Sequence, residues 1–539
     1  MPQRSKDTAE PKPSAERKPK RTAKPKPPPE PRAKAKPPAA PKPKAKRRRP
    51  RRRAKPKKLV LAVIDSLKPE MLDQAIEEGH APALASLVEC GTYIRDCLST
   101  FPSVTPVASA TIATGCGPGE HHIPAMNWYH RGEERYVEYG SSIAATRAFG
   151  IVRSLYDTVY NMNLAHLTRA RKTVYEHLDD AGLRTACTTY LIYRGRTRHD
   201  PSGASVYRRI AEAAQFRHPV YGAGELFYAD LFDSRNTGCT ATLGMPGQRD
   251  QHTGCVGAYV VEHDLFDFLL FSLPDNDTHS HKVGPDGQVR SIAEADKALE
   301  RIMHVAGGAE AFLEDHAVIV MSDHSQTAVE ESVNLADALA EHRVLTPGDP
   351  APFEAELAAC PSARSGMVYV LDEERREELV PAVVDILGEL DGVDLVISRE
   401  DGRAVVRSRR GELRFAPGGK LGDARGAAWG IEGDEDVLHV DVGRGRVASA
   451  TYPDPLGRLW SALACPHAGD VLVSAEPGYE FDDWGGAAHV GGGSHGSLHR
   501  DDSEGVLLLC GVDVPEREQW SVADVTPLVL DHFGVPSGR

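Results

Sequence analysis

Five short segments carry most of the residues that could do chemistry. Asp277-Thr-His-Ser-His281 sets a carboxylate and an imidazole at i and i+4, and Asp275 and His279 repeat that spacing two residues earlier. Hard carboxylate oxygens beside imidazole nitrogens suit zinc or a similar divalent ion. Spacing leaves the register open between the two pairs. Ser322-Asp323-His324 places a second Asp and His side by side after an apolar run, and Asp65 closes the run Leu59 to Ile64. A carboxylate after a strand is as commonly a turn former or helix cap, so Asp65 gains weight only from the other clusters. Gly491-Gly-Gly-Ser-His495-Gly holds an imidazole among glycines that allow close backbone approach. Read alone, that segment is a linker with an incidental histidine.

The fifth segment, Pro102 to Gly115, is rich in hydroxyls and small residues, as expected where a helix N-terminus packs beneath an anion. Thr105, followed by Pro106 at an early helical position, is the best-placed nucleophile. Ser103, Ser109, Thr111 and Thr114 read as capping or packing residues. A free threonine is a poor nucleophile until a neighbouring cation lowers its pKa.

Something must bring these segments together, and the pattern from Leu59 onward says what. Short apolar runs alternate with amphipathic stretches, which predicts an α/β fold with a mostly parallel central sheet flanked by helices. Strands are expected at 58–64, 185–192, 266–273 and 317–321, and helices over 69–90, 173–182 and 292–314. Asp65, the 275–281 cluster and the 322–324 cluster all follow strands, and in open α/β sheets ligands sit beyond the carboxyl ends of the strands. Three clusters at strand ends suggest one shared site. Residues 346–460 read instead as an inserted α+β subdomain, with a helix at 373–390 and short strands at 404–407, 412–415 and 437–442. That divides the catalytic core into 58–345 and 461–539, with 471–475 returning to the main sheet and 506–509 adding a strand.

Ahead of this body lies a segment of opposite character. Residues 1–58 hold 24 Lys and Arg against four acids, a net charge of +20, which leaves −33 on the rest of a chain whose total is −13. No Leu, Ile, Phe, Tyr or Trp precedes Pro56, so residues 1–57 cannot bury enough apolar surface to offset ordering and are expected to be a disordered basic tail. Such a tail is either a solubilising arm or a contact for nucleic acid or an anionic membrane. No apolar stretch precedes Leu59, so no secretory leader is expected. No window is long and apolar enough for a transmembrane span. Nine scattered cysteines without a C-x-x-C pair read as reduced structural thiols, and together these features place the chain in the cytoplasm.

Taken in order, Val-Ile-Asp65, Phe-Pro-Ser-Val-Thr105-Pro, Thr114-Gly115 through Pro118-Gly-Glu-His121, Asp277-x-x-x-His281-Lys-Val-Gly-Pro285, Ser322-Asp323-His324 and Gly-Ser-His495-Gly resemble the type I phosphodiesterase/nucleotide pyrophosphatase family of the alkaline phosphatase superfamily. The resemblance implies a hydrolase of phosphate esters with two divalent metal ions, Zn2+ or alternatively Mn2+. It implies that Asp277, His281 and His495 hold one ion, while Asp65, Asp323, His324 and Thr105 hold the other. By the same resemblance Thr105 attacks phosphorus and forms a covalent phosphothreonine, and Asn127 donates to a phosphoryl oxygen. The Lys-Val-Gly-Pro continuation selects Asp277/His281 over Asp275/His279.

Two departures fall near the substrate. Ser325-Gln326 follows the Asp-His pair where the family often has Gly, and Pro106-Val-Ala replaces the commoner aromatic-Pro-Asn. The expected substrate is a small phosphoester or nucleotide. A phosphomonoesterase or a phosphonate hydrolase would use nearly the same cage. A different class of answer is a polyanion-binding protein whose phosphatase-like body is inactive, but a lapsed enzyme has no need to keep seven ligands.

Overall fold

The computed structural model describes residues 26, 56–201 and 216–537; the basic tail expected over 1–57 lies outside the described residues apart from Lys26, Pro56 and Lys57. The first described element is strand β1 (Lys58–Ile64), where six of seven residues are buried. Its side chains alternate between two cores: Leu59, Leu61 and Val63 face one, and Val60, Ala62 and Ile64 the other. A strand covered on both faces and paired on both edges has no polar side, so its sequence is an unbroken apolar run rather than an alternating one.

The central sheet has eight strands. In chain order they are β1, β2 (Thr92–Leu98), β3 (Thr185–Thr188), β4 (Glu225–Tyr228), β5 (Phe232–Asp233), β6 (Phe268–Leu273), β7 (His316–Met321) and β8 (Glu504–Cys510). Their spatial order is β2-β8-β7-β1-β6-β3-β4-β5. The five strands from β7 to β4 run parallel. Strand β8 is antiparallel to both β7 and β2, and β5 is antiparallel to β4. The result is the mostly parallel sheet between helices that the sequence predicts, with antiparallel strands at its margins. β1 lies between β6 and β7, so the segments following all three emerge side by side at one edge.

Two predicted helices are each broken in two. The 69–90 stretch forms helices Pro69–Glu77 and Pro82–Cys90, separated at Gly79, whose φ of +75° ends the first turn run. The 292–314 stretch forms Val289–Val305 and Ala309–Asp315, interrupted by Gly307 and Gly308 at φ +97° and +105°. Glycine takes such angles without the Cβ clash that penalises other residues.

A second, nine-stranded sheet runs from Leu357 to Ala475 and is almost wholly antiparallel, with the helix Arg376–Glu389 packed on it. Strand Val471–Ala475 sits inside this sheet, between Ser365–Val370 and Val393–Glu400, and not in the main sheet as the sequence reading has it. Its run of five buried residues marks a strand covered on both faces, which either sheet could accommodate. A third sheet joins Thr327–Val333 to Gly478–Phe481 and Gly493–Ser494.

The cysteine expectation is corrected as well. Disulfides link Cys90 to Cys510 and Cys239 to Cys255, and Cys97, Cys116, Cys187, Cys360 and Cys465 stand outside these two bridges. A bridge between partners 420 residues apart leaves no spacing motif to read. Among the described residues no helix is long and apolar enough to cross a membrane.

Candidate active site

Asp65 is the first residue past β1, and its amide still donates to the Leu273 carbonyl at the end of β6. The Asp275–Val283 helix begins two residues after β6, and Asp323 and His324 follow β7 by two and three residues. Within that helix the two Asp/His registers face different ways. Asp275 caps the neighbouring 247–250 segment, accepting from the amides of Gly247, Arg249 and Asp250 and from Arg249 Nε. Asp277 turns toward Asp65 and Asp323, and Asn276 between them donates to the Asp65 carbonyl at 2.8 Å.

His495 reaches the same place from the far end of the chain. Gly493 and Ser494 pair with Ala328 and Thr327, directly downstream of His324. Past His495, its carbonyl accepts from Arg364 N–H at 2.8 Å, and the fully buried Arg364 guanidinium is paired with Asp502. Asp502 also accepts from the Ser497 amide at 2.8 Å. The glycine-rich segment is therefore tied down on both sides of the histidine.

Five of the seven expected metal-type side chains form two overlapping groups. Asp65, Asp323 and His324 offer ligand atoms within 4.8 Å of one another, and so do Asp277, His324 and His495. His324 belongs to both groups. His281, placed with Asp277 and His495 by resemblance, faces the other oxygen of the same carboxylate, with Nε2 3.3 Å from Asp277 Oδ2. Thr105 starts the Thr105–Thr114 helix, and its Oγ1 lies 3.2 Å from His324 Nε2.

The imidazoles are oriented alike. The Nδ1 atoms of His281, His324 and His495 lie against the backbone carbonyls of Gly493, Ser325 and Ser103 at 2.7, 3.1 and 2.9 Å. A carbonyl can only accept, so each Nδ1 carries the hydrogen and each Nε2 is left to face the site. His495 Nε2 lies 3.6 Å from Asp277 Oδ1, and His324 Nε2 lies 3.6 Å from Asp65 Oδ1 and 3.5 Å from Asp323 Oδ2.

Burial holds His324 down to about 4 and His495 to about 3, so at neutral pH both present a lone pair to carboxylate oxygens. Acceptors facing acceptors in a buried cage are tolerable only with a proton or a cation between them. Asp65 Oδ1 is buried without a hydrogen-bond partner.

The carboxylates show the same deficit of positive charge. Burial, then the charges of Asp323 and Asp277, pushes Asp65 well above the usual carboxylate range. Burial lifts Asp323 to about 6. Burial also opposes charge on Asp277, yet the His281 imidazolium overrides it and holds that carboxyl well below its usual range. The reciprocal attraction raises His281 to about 9 against its own burial. Protons thus occupy positions that the donor set, carboxylates with imidazole Nε2 atoms, fits for divalent cations.

Asn127 is not brought to this constellation by any hydrogen bond. It opens a hairpin, Asn127–His130 with Arg135–Glu138, and its Nδ2 donates to the Val137 carbonyl at 3.0 Å while Oδ1 is buried without a partner. Ser103 and Thr111 donate to backbone carbonyls, and Thr111 also contacts buried His121 at 3.0 Å, which makes that histidine a brace for the Thr105 helix.

Three features carry no signal in the sequence reading. Ser66 contacts Asp277, Asp323 and His324. Gln326, noted there only as a departure, donates to Asp277 Oδ1 at 2.6 Å. His489 stacks on His281 with ring centroids 4.0 Å apart, held at Nδ1 by buried Glu480 at 2.9 Å. A small cavity of about 40 Å3 opens beside these rings, lined by His281, His489, His495, Val104, Met126 and Ser141 among others.

A cage of carboxylates and imidazoles at the carboxyl edge of a mostly parallel sheet, with a hydroxyl at a helix start beside it, is the layout of a phosphoester hydrolase of the alkaline phosphatase superfamily. The family model for type I phosphodiesterase/nucleotide pyrophosphatase matches residues 59–498, and the chain belongs to that family. Its fold is similar to that of murine ectonucleotide pyrophosphatase/phosphodiesterase 5, solved in an inactive form in complex with AMP, at TM-score 0.54 and 12% identity over 90% of this chain and 96% of that one. It is also similar to phosphonoacetate hydrolase from Sinorhizobium meliloti 1021 in complex with phosphonoformate, at TM-score 0.52 and 17% identity over 89% and 96%. No curated protein matches the sequence.

Proposed function

We propose that the chain is a phosphodiesterase or nucleotide pyrophosphatase that uses two divalent cations and passes through a covalent phosphothreonine at Thr105. The observation that carries this reading is the pair of imidazoles, His324 and His495, whose Nε2 atoms, left bare by hydrogens held on Nδ1, face the oxygens of Asp65, Asp323 and Asp277 at 3.5–3.6 Å. Asp65, Asp323 and His324 would hold one cation together with Thr105, and Asp277, His281 and His495 the other. Zinc suits this donor set, and manganese is the alternative. Bound there, such ions neutralise charge on the entering and leaving oxygens and lower the pKa of a hydroxyl.

The chain's own residues supply the rest. Thr105 Oγ1 gives up its proton and attacks phosphorus, and the bond from phosphorus to the leaving oxygen breaks as that oxygen takes up a proton. Water then displaces Thr105 and releases the phosphate monoester. His324, fixed through Nδ1, keeps the threonine oxygen in register with Asp65 and Asp323. His495 and Asp277 face the same space from the Asp275–Val283 helix and the 493–496 segment.

The fold shared with a phosphonoacetate hydrolase favours keeping a second substrate class in the test. Bis-p-nitrophenyl phosphate, p-nitrophenyl phosphate, a phosphonate monoester and a dinucleotide are compared with added zinc or manganese. The diester and the dinucleotide are expected to turn over fastest. Absence of divalent-dependent turnover on all four would overturn the enzyme reading, and a preference for the phosphonate would replace the diester assignment.

A further inference from the structure

Ser66 stands in an unusual backbone position for its side chain. Its φ is +59°, in the left-handed region that L residues avoid and glycine enters freely, and the residue is fully buried. Gln288, also fully buried, locks the turn from outside: Nε2 donates to the Ser66 carbonyl at 2.8 Å, and Oε1 accepts from the Lys68 amide at 3.1 Å. Strain held this firmly by its surroundings persists at sites where the side chain is needed.

What the side chain does is visible in its partners. Ser66 Oγ donates to Asp277 Oδ1 at 2.6 Å, and the same oxygen lies 3.2 Å from His324 Nδ1, which donates to it. The Ser66 amide donates to Asp323 Oδ1 at 3.2 Å. One residue thus touches Asp277 in one ligand group, Asp323 in the other, and His324 in both. Its hydroxyl hydrogen is spent on Asp277, so Ser66 is not itself offered as a ligand. It orients the Asp277 carboxylate and, with the Ser325 carbonyl, keeps the hydrogen of His324 on Nδ1 so that Nε2 stays bare.

The geometry points to Ser66 as a positioning residue that couples the two cation sites. Filling either site fixes a carboxylate that Ser66 holds, and the fixed serine then presets the ligands of the other site, which is positive coupling through a shared hydrogen-bonded element. This rests on the two-cation reading above.

The test uses the full-length chain, zinc titrated by calorimetry or chelator competition, and thermal midpoints of the metal-free forms. Ser66→Gly removes the hydroxyl and relieves the backbone, whereas Ser66→Ala removes the hydroxyl and keeps the backbone strain. Both are expected to bind zinc about 10- to 100-fold more weakly, the range typical of lost ligand-orienting hydrogen bonds. Ser66→Gly is expected to melt at a higher temperature than Ser66→Ala. A merely structural role would make zinc affinity follow the melting order, and that result overturns the proposal.

Coupling is read by adding His495→Ala. That change should weaken the remaining site in the wild-type background and leave it unchanged in the Ser66→Gly background. Equal weakening in both backgrounds removes the coupling. If the wild-type chain binds no divalent ion, the two-cation reading fails and this inference falls with it. Wild-type binding with both Ser66 variants unaltered overturns the inference alone.

Discussion

Replacing Thr105 with alanine should separate chemistry from architecture by a wide margin. The side chain is half-buried, and its Oγ1 lies in hydrogen-bond range of His324 Nε2 at 3.2 Å. Losing one such neutral hydrogen bond costs about 0.5–1.5 kcal/mol, which in a chain of this size shifts the melting point by only about 1–3 °C. Cation binding should survive, because Asp65, Asp323 and His324 still form a complete triad. Turnover is another matter: deleting a covalent nucleophile costs on the order of 10^4- to 10^6-fold, or about 5.5–8 kcal/mol of barrier. Thr105→Ser keeps an attacking oxygen at the same position and should retain activity within about tenfold, since the group deprotonated and attacking phosphorus is the same. The assay is divalent-dependent hydrolysis of bis-p-nitrophenyl phosphate, with an acid quench after labelled substrate to trap the phosphoenzyme. Label on Thr105 in wild type and none in Thr105→Ala is the expected result. Alanine activity within tenfold of wild type, or label recovered on another residue, refutes the nucleophile assignment.

Other expectations test the cage around it. Because His281 is raised to about 9 and Asp65 also sits high, protons must leave as cations enter, so zinc binding at pH 7 should release protons and tighten with rising pH, then weaken below about 6 as Asp323 takes up a proton. Calorimetry in two buffers of different ionisation enthalpy reads this, and a heat independent of buffer would count against it. His495→Ala should reduce bound zinc from two ions to one after gel filtration, since Asp65, Asp323 and His324 are untouched. Asn127→Ala should destabilise by about 0.5–1.5 kcal/mol by deleting its hydrogen bond to the Val137 carbonyl while kcat is held; a 100-fold fall in kcat at an unchanged melting point would instead put Asn127 on the substrate. Alkylation of the denatured, unreduced chain should modify five thiols, and nine would remove both disulfides.

Legibility in the sequence followed how each residue is held. Strand β1 could be read because burial on both faces leaves an uninterrupted apolar run, and Asp65 could be flagged because that run ends on it. The helix breaks at Gly79 and at Gly307-Gly308 leave no mark in the apolar spacing, which continues across them; the positive φ values show the chain changing direction. The sheet that holds strand Val471–Ala475 is not legible in its sequence, because a buried run states that a strand is covered without naming its neighbours.

The site divides along the same line. Asp, His and Thr announce themselves by chemical type, and their order along the chain suggested one centre. Ser66, Gln326 and the Glu480–His489 pair are ordinary polar residues whose importance lies in the atoms they face. Asn127, named by resemblance, donates to the Val137 carbonyl of its own hairpin, a contact that its residue type does not announce. Residue type therefore identifies which side chains could bind a cation, while hydrogen bonds to atoms far away in sequence decide how those side chains point. The Nδ1 contacts of His281, His324 and His495 are all of this kind or to irregular backbone, and spacing alone could not supply the orientation on which the proposed chemistry depends.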